Sequence, residues 1–109
     1  MGIVIKEGGN PLIRGCSIRQ GGQAGIFVTE DGKGTIESCD VSDNAHAGVY
    51  ITGGNLRVQQ CRINRNRLQG IRVEKLGAGS VENCDLTANE RGPWYIELGC
   101  QVRSSGNET

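Results

Sequence analysis

Residues 25–47 read GIFVTEDGKGTIESCDVSDNAHA, and residues 48–69 read GVYITGGNLRVQQCRINRNRLQ. Laid one under the other, the two lines agree where structure is encoded. A glycine opens each. Ile26-x-Val28 faces Val49-x-Ile51, Ile36 faces Val58, Cys39-x-Val41 faces Cys61-x-Ile63, and Asn44 faces Asn66. The flanking lines obey the same rule, from Gly2 before and from Gly70 after. Glycines at 2, 25, 48, 70 and 92 are spaced by 23, 23, 22 and 22 residues. Cysteines at 16, 39, 61 and 84 are spaced by 23, 22 and 23. Two residue types keeping one period identify a structural repeat. A finer alternation overlies it: Gly8-Gly9-Asn10 recurs as Gly53-Gly54-Asn55, and Gly32 and Gly34 recur as Gly77 and Gly79, each 45 residues on. The unit is a double coil, present twice.

Within each line lie three short alternating stretches. The first is Gly-apolar-x-apolar (Ile3/Ile5, Ile26/Val28, Val49/Ile51, Ile71/Val73). The second centres on Ile13, Ile36, Val58 and Val81. The third is Cys-x-apolar (Cys16/Ile18, Cys39/Val41, Cys61/Ile63, Cys84/Leu86). Period-two alternation rich in β-branched residues is a strand signal, and no stretch has helical spacing or length. Three such strands in one line cannot pair with each other, so each pairs with the line above and below, at about 4.8 Å. This predicts an all-β chain: a parallel β-helix of four to five coils of 22–23 residues, with three strands per coil. Inside it run columns of Ile/Val and of Cys, and at one turn a column of Asn44, Asn66 and Asn89 whose stacked amides bond along the axis.

The pattern Gly-[IV]-x-[VI]…Gly-x-[IV]-x-x-[CN]-x-[IV]…Asn resembles the repeats of the pectin-lyase-like superfamily. It is closest to the carbohydrate-binding and sugar-hydrolase type found in F-box β-helix proteins and in bacterial multidomain proteins. The resemblance covers residues 2 to about 92. It implies a right-handed β-helix, and the F-box members imply substrate recruitment. Fold alone does not fix function.

Bulk composition narrows the classes. The 109 residues carry 12 Lys+Arg and 12 Asp+Glu, a formal net charge of zero. No nucleic acid or anionic membrane is expected as partner on charge. No apolar run reaches the ~20 residues of a membrane span. Gly is 18, with 36% hydrophobic and 4% aromatic residues, as expected of short strands joined by many tight turns. The start Met-Gly-Ile-Val-Ile-Lys-Glu has no signal-peptide pattern, and the five cysteines are odd in number with no C-x-x-C pair. These features suit a reduced, cytoplasmic setting. The expected domain is residues 1–102, a segment of a longer protein, followed by a frayed polar tail at 103–109. Open coil ends are candidates for end-to-end self-association, with Trp94 and Leu98 expected to fold over the core after Pro93.

Candidate chemistry falls in columns. The cysteines read as a buried structural ladder, since ligands in a straight row do not surround a tetrahedral ion; no metal or cofactor is expected. Asp40, Arg62 and Asp85 share an outward column. As an enzyme this trio would be the catalytic set of a polysaccharide lyase or hydrolase. As structure it would be a charge ladder, each Asp paired to the arginine between them. The nearly minimal coils offer no loops to wall a cleft, which favours a non-catalytic chain. His46, the single histidine, falls in a turn. The outward column between the paired apolar residues reads Val4, Phe27, Tyr50, Arg72, Trp94. Aromatic and arginine side chains on a flat sheet are enriched at protein interfaces. Phe27, Tyr50, Arg72 and Trp94 are therefore the expected binding residues of a protein-recognition module, with glycan binding and a purely structural spacer as the other readings.

Overall fold

The computed structural model describes residues 2–109. Thirteen short strands follow in order: β1 (Ile3–Ile5), β2 (Leu12–Arg14), β3 (Ser17–Arg19), β4 (Ile26–Thr29), β5 (Lys33–Glu37), β6 (Asp40–Ser42), β7 (Val49–Thr52), β8 (Asn55–Gln59), β9 (Arg62–Asn64), β10 (Ile71–Glu74), β11 (Ala78–Glu82), β12 (Trp94–Ile96) and β13 (Gln101–Ser105). They form three parallel sheets, one per side of a triangular solenoid. The first side is β1-β4-β7-β10-β12, the second β2-β5-β8-β11-β13, and the third β3-β6-β9. Asp85 and Glu108 extend the third side by single bridges. All named pairings are parallel and join one coil to the next, as the repeat requires.

Alternation decides what is inside. Ile26, Val49 and Ile71 stack in register, as do Val28, Ile51 and Val73; Ile36, Val58 and Val81; and Val41 with Ile63. All are buried, along with Cys39, Cys61, Cys84 and Leu86. The corner before each buried cysteine is turned by one residue in the left-handed region. Ser38, Gln60 and Asn83 precede the buried cysteines, with φ of 52°, 53° and 54°. Each non-glycine residue so held costs on the order of 1 kcal/mol, and the inter-coil hydrogen bonds on both sides of the corner offset it.

The asparagine column forms as expected. The Asn44 amide nitrogen donates to Asn66 Oδ1 at 3.0 Å, and that of Asn66 to Asn89 Oδ1 at 2.9 Å. The backbone N–H groups of Asn44 and Asn66 donate to the same oxygens. The opening glycines make room for it. A Cβ on Gly25, Gly48 or Gly70 would lie 2.8 Å from the amide nitrogen of Asn44, Asn66 or Asn89. Glycine and asparagine thus repeat together because each column fills the space the other leaves.

Three expectations fail at the last coil. Ile71 N–H donates to Pro93 O, where Val49 N–H donates to Gly70 O. Pro93, not Gly92, is therefore the partner of Gly70. Gly92 is an added turn residue with φ of 93°. That one-residue shift puts Trp94 opposite Ile71 and Tyr95 opposite Arg72. Trp94 packs against the core, while Leu98 points into solvent. The tail is not frayed either. Gln101–Ser105 pairs along β11, and Asn107 stands in the cysteine column, its Oδ1 accepting from Cys84 N–H at 2.9 Å. The β-helix therefore takes in residues 103–109 as well.

Candidate functional site

The outer face of the first side carries the most organised surface cluster. Phe27, Tyr50, Arg72 and Tyr95 stand in register on β4, β7, β10 and β12. Trp94, expected in this column, lies on the inward face, and Tyr95 takes its place. The Phe27 and Tyr50 rings meet at 5.3 Å, tilted by 48°. The Arg72 guanidinium sits between two tyrosines, 5.8 Å from the Tyr50 ring centre and 4.5 Å from that of Tyr95. Both contacts fall within cation–π range.

Glu74, in the next outward row of the same side, fixes this stack. Its Oε1 accepts from the Tyr50 hydroxyl at 2.7 Å, and its Oε2 accepts from Arg72 Nε at 2.7 Å and lies 2.6 Å from Nη2. Gln69 Oε1 accepts from Arg72 Nη1 at 3.4 Å. The carboxyl of Glu74 is held below its ordinary value by the Tyr50 hydroxyl first and by Arg72 as well. The Tyr50 phenol is pushed up by the same bond. These charge-assisted bonds hold Tyr50 and Arg72 in one arrangement before any partner arrives.

His46 belongs to this cluster, though its sequence position shows only a turn. Its ring stacks on Tyr50 at 5.2 Å with an 18° angle between planes. Burial first, and the Arg72 charge next, lower its pKa, with Glu74 opposing. Its Nδ1 is buried without a protein partner. No repeat marks this residue, so the only sequence signal was its place two residues before Gly48, close to the outward row. With Val4, Gln23, Ala24, Phe27 and Tyr50 it lines a cleft of about 490 Å³ toward the first coil.

The second candidate column is on the third side. Asp40, Arg62 and Asp85 do stack in register, but the charge ladder is absent. Asp40 pairs with Arg19 at 3.7 Å. Asp85 accepts from the Thr87 hydroxyl at 2.6 Å and from the Asn64 amide at 3.4 Å. With both carboxylates engaged elsewhere, Arg62 makes no ion pair within 4 Å among the described residues. The Thr87 hydroxyl, then its N–H, holds the Asp85 carboxyl below its ordinary value. A group so held is a poor general acid. Two shallow corner grooves of about 390 Å³ each flank the column.

The cysteine column is structural in its bonding. The thiols of Cys39, Cys61 and Cys84 donate to the carbonyls two residues before them, at 3.3, 3.2 and 3.3 Å. Burial raises the Cys39 pKa, and the hydrogen bond with Cys84 followed by burial raises that of Cys61. Cys16 at the first coil is exposed, and Cys100 is half-buried on the last turn, just before β13.

No curated protein and no solved structure matches this chain. One family does, described as the right handed beta helix region, over residues 1–109. With three parallel sheets wound coil upon coil and a family match over its whole length, the chain belongs to the right-handed β-helix family.

Proposed function

We propose that this chain is a non-catalytic recognition module that engages a protein partner through the outer face of its first side. The observation that carries this reading is the stack Phe27–Tyr50–Arg72–Tyr95, locked by Glu74. Tyrosine and arginine are enriched at interface centres because they combine large contact area with directed polar groups. Here their rotamers are set in advance, which lowers the entropy lost on binding. The column on the third side supports the non-catalytic part. Asp85 is held below the usual carboxylate range, Asp40 is paired with Arg19, and the grooves that flank them among the described residues are shallow.

A glycan is the second reading, favoured by the cleft beside Phe27, His46 and Tyr50, whose lining is largely apolar. The test is capture of proteins on the immobilised chain, with a Phe27→Thr/Tyr50→Thr/Tyr95→Thr variant as control and a glycan array probed in parallel. A protein retained by the native chain and lost with the variant supports the proposal. Variant-insensitive capture overturns it. Stripe-dependent glycan binding without protein capture replaces it with the second reading.

A further inference from the structure

We infer that the outer face of the second side is a docking groove for an extended acidic peptide segment. This groove lies on the flank of the solenoid, one corner away from the first-side face proposed above, and shares no residue with it.

Register sets two outward columns side by side there. One reads Lys33, Asn55, Ala78 and Gln101. The other, two residues further along each strand, reads Thr35, Arg57, Ser80 and Arg103. Long and short side chains thus alternate from coil to coil. Ala78, Ser80 and the backbone of Gly79 form a low floor, and the arginines stand above it. The cleft they enclose is about 730 Å³, larger than the one beside His46.

The charge of this groove has one sign. Lys33, Arg57 and Arg103 line it, and no Asp or Glu among the described residues does. None of the three cations has a carboxylate within 4 Å among the described residues. The carboxylates of the next outward column are engaged elsewhere. Arg14 lies 3.3 Å from Glu37, and Glu82 Oε1 accepts from Gln59 Nε2 at 3.3 Å. Cations gathered in a concavity without counter-charge draw anions into it.

Spacing and chemistry select a peptide among anions. Arg57 and Arg103 stand two coils apart, roughly 10 Å at the backbone. An extended segment in the polyproline II form brings residues i and i+3 to one side, about 9 Å apart. One carboxylate can then meet each guanidinium fork, with charge-assisted bonds at both. Asn55 and Gln101, also two coils apart, present amides that donate and accept, as a peptide backbone requires. No aromatic ring lines the groove, so bases and sugar rings find no stacking platform.

The test is fluorescence anisotropy of a fluorescein-labelled peptide of Glu-Pro-Pro repeats, titrated with the full chain at low ionic strength. Arg57 and Arg103 are exposed and Ser80 is half-buried on the outer face, so substitutions there leave the core intact, as circular dichroism would verify. Saturable binding is expected, weakened about fivefold to tenfold by Arg57→Gln or Arg103→Gln. Ser80→Tyr, which fills the floor and leaves the charge unchanged, is expected to weaken it as much. Arg91→Gln, at an exposed cation outside the groove, and the Phe27→Thr/Tyr50→Thr/Tyr95→Thr variant are expected to bind like the native chain. The last of these keeps the two surfaces separable, since loss of the first-side reading leaves this titration unmoved. Absence of saturable binding overturns the inference. An equal loss with Arg91→Gln also overturns it, because the attraction would then be diffuse. So does a folded Ser80→Tyr chain with native affinity, since the acid would then rest on the arginine tips and not in the groove. Tighter binding of hyaluronan, an acidic glycan, than of the peptide would overturn the choice of occupant.

Discussion

The corner column Asn44–Asn66–Asn89 and the outward column Phe27–Tyr50–Arg72–Tyr95 climb the same solenoid with the same coil-to-coil spacing, yet they follow opposite rules. In the corner, identity repeats because each amide must receive from one coil and give to the next. A different residue at any level would leave buried donors and acceptors without partners. On the face, identity changes at every level, and the four side chains still contact one another in sequence. Stacking on a parallel sheet brings any two aligned outward residues close, so a non-repeating series can be assembled without disturbing the fold. Repetition in this chain therefore specifies architecture, and departure from repetition marks the surface free to acquire a role.

The sharpest way to break that contrast is Asn66→Ala. It removes both bonds that Asn66 Oδ1 receives from Asn44 and both that its Nδ2 gives to Val41 O and Asn89 Oδ1. Asn66 is fully buried, so the stranded groups find little water. At about 1–3 kcal/mol for a buried group left unsatisfied, the loss is on the order of 3–5 kcal/mol, a large share of a small domain's stability. Urea unfolding measures it. A midpoint close to the native one would show that the column is incidental to folding.

Tyr50→Phe sharpens the other side. It keeps the ring in its column with Phe27 and Arg72 but deletes the hydroxyl that donates to Glu74. A stability loss of about 1 kcal/mol is expected, well under that of Asn66→Ala. The Glu74 carboxyl, now without its principal stabilising donor, should titrate at a higher pH, as NMR of the side-chain carboxyl would record. An unmoved Glu74 titration would mean that Arg72 alone fixes the carboxylate.

Most of the interior is legible in sequence because burial and stacking act on every coil alike. Gly25 and Gly48, Val58 and Val81, Cys61 and Cys84 each meet the same neighbours, so one constraint writes one residue repeatedly. Legibility fails where the constraint is not periodic. The spacing from Gly70 to Gly92 matches the period by number, but Gly92 is an inserted turn residue and the register passes to Pro93. That moves Trp94 inward and gives the face to Tyr95. The polar residues 103–109 look unstructured in sequence because apolar alternation has ended. Backbone pairing needs no apolar side chain, though, and Asn107 lies 23 residues after Cys84, a spacing that does carry the signal. For Arg62, the column alone predicts two carboxylate partners. Diagonal neighbours and i+2 hydroxyls take those carboxylates first, as Arg19 and Thr87 show.

His46 tests the contrast most finely, because it sits in a corner yet serves the face. In the folded chain its pKa is lowered, chiefly by burial against Tyr50 and next by Arg72, while Glu74 pulls the other way. The folded state therefore prefers the neutral ring. Unfolded, histidine titrates near about 6.5. Above that pH both states are neutral and the stacking contribution is complete. As pH falls from about 6.5 through the lowered folded value, the unfolded chain takes up the proton first and stability declines. Glu74, also lowered, contributes stability that is lost only at more acid pH, as it falls below the ordinary glutamate value of 4.5. The two windows are thus separate. Melting temperature followed from about pH 7.5 to about pH 5, a range spanning the histidine window, should fall gently for the native chain and stay flatter for His46→Gln, a smaller effect than either substitution above. Equal slopes would place the imidazole in contact with water in the folded chain, and the stack on Tyr50 would then be a face contact only, with no share in the corner's burial.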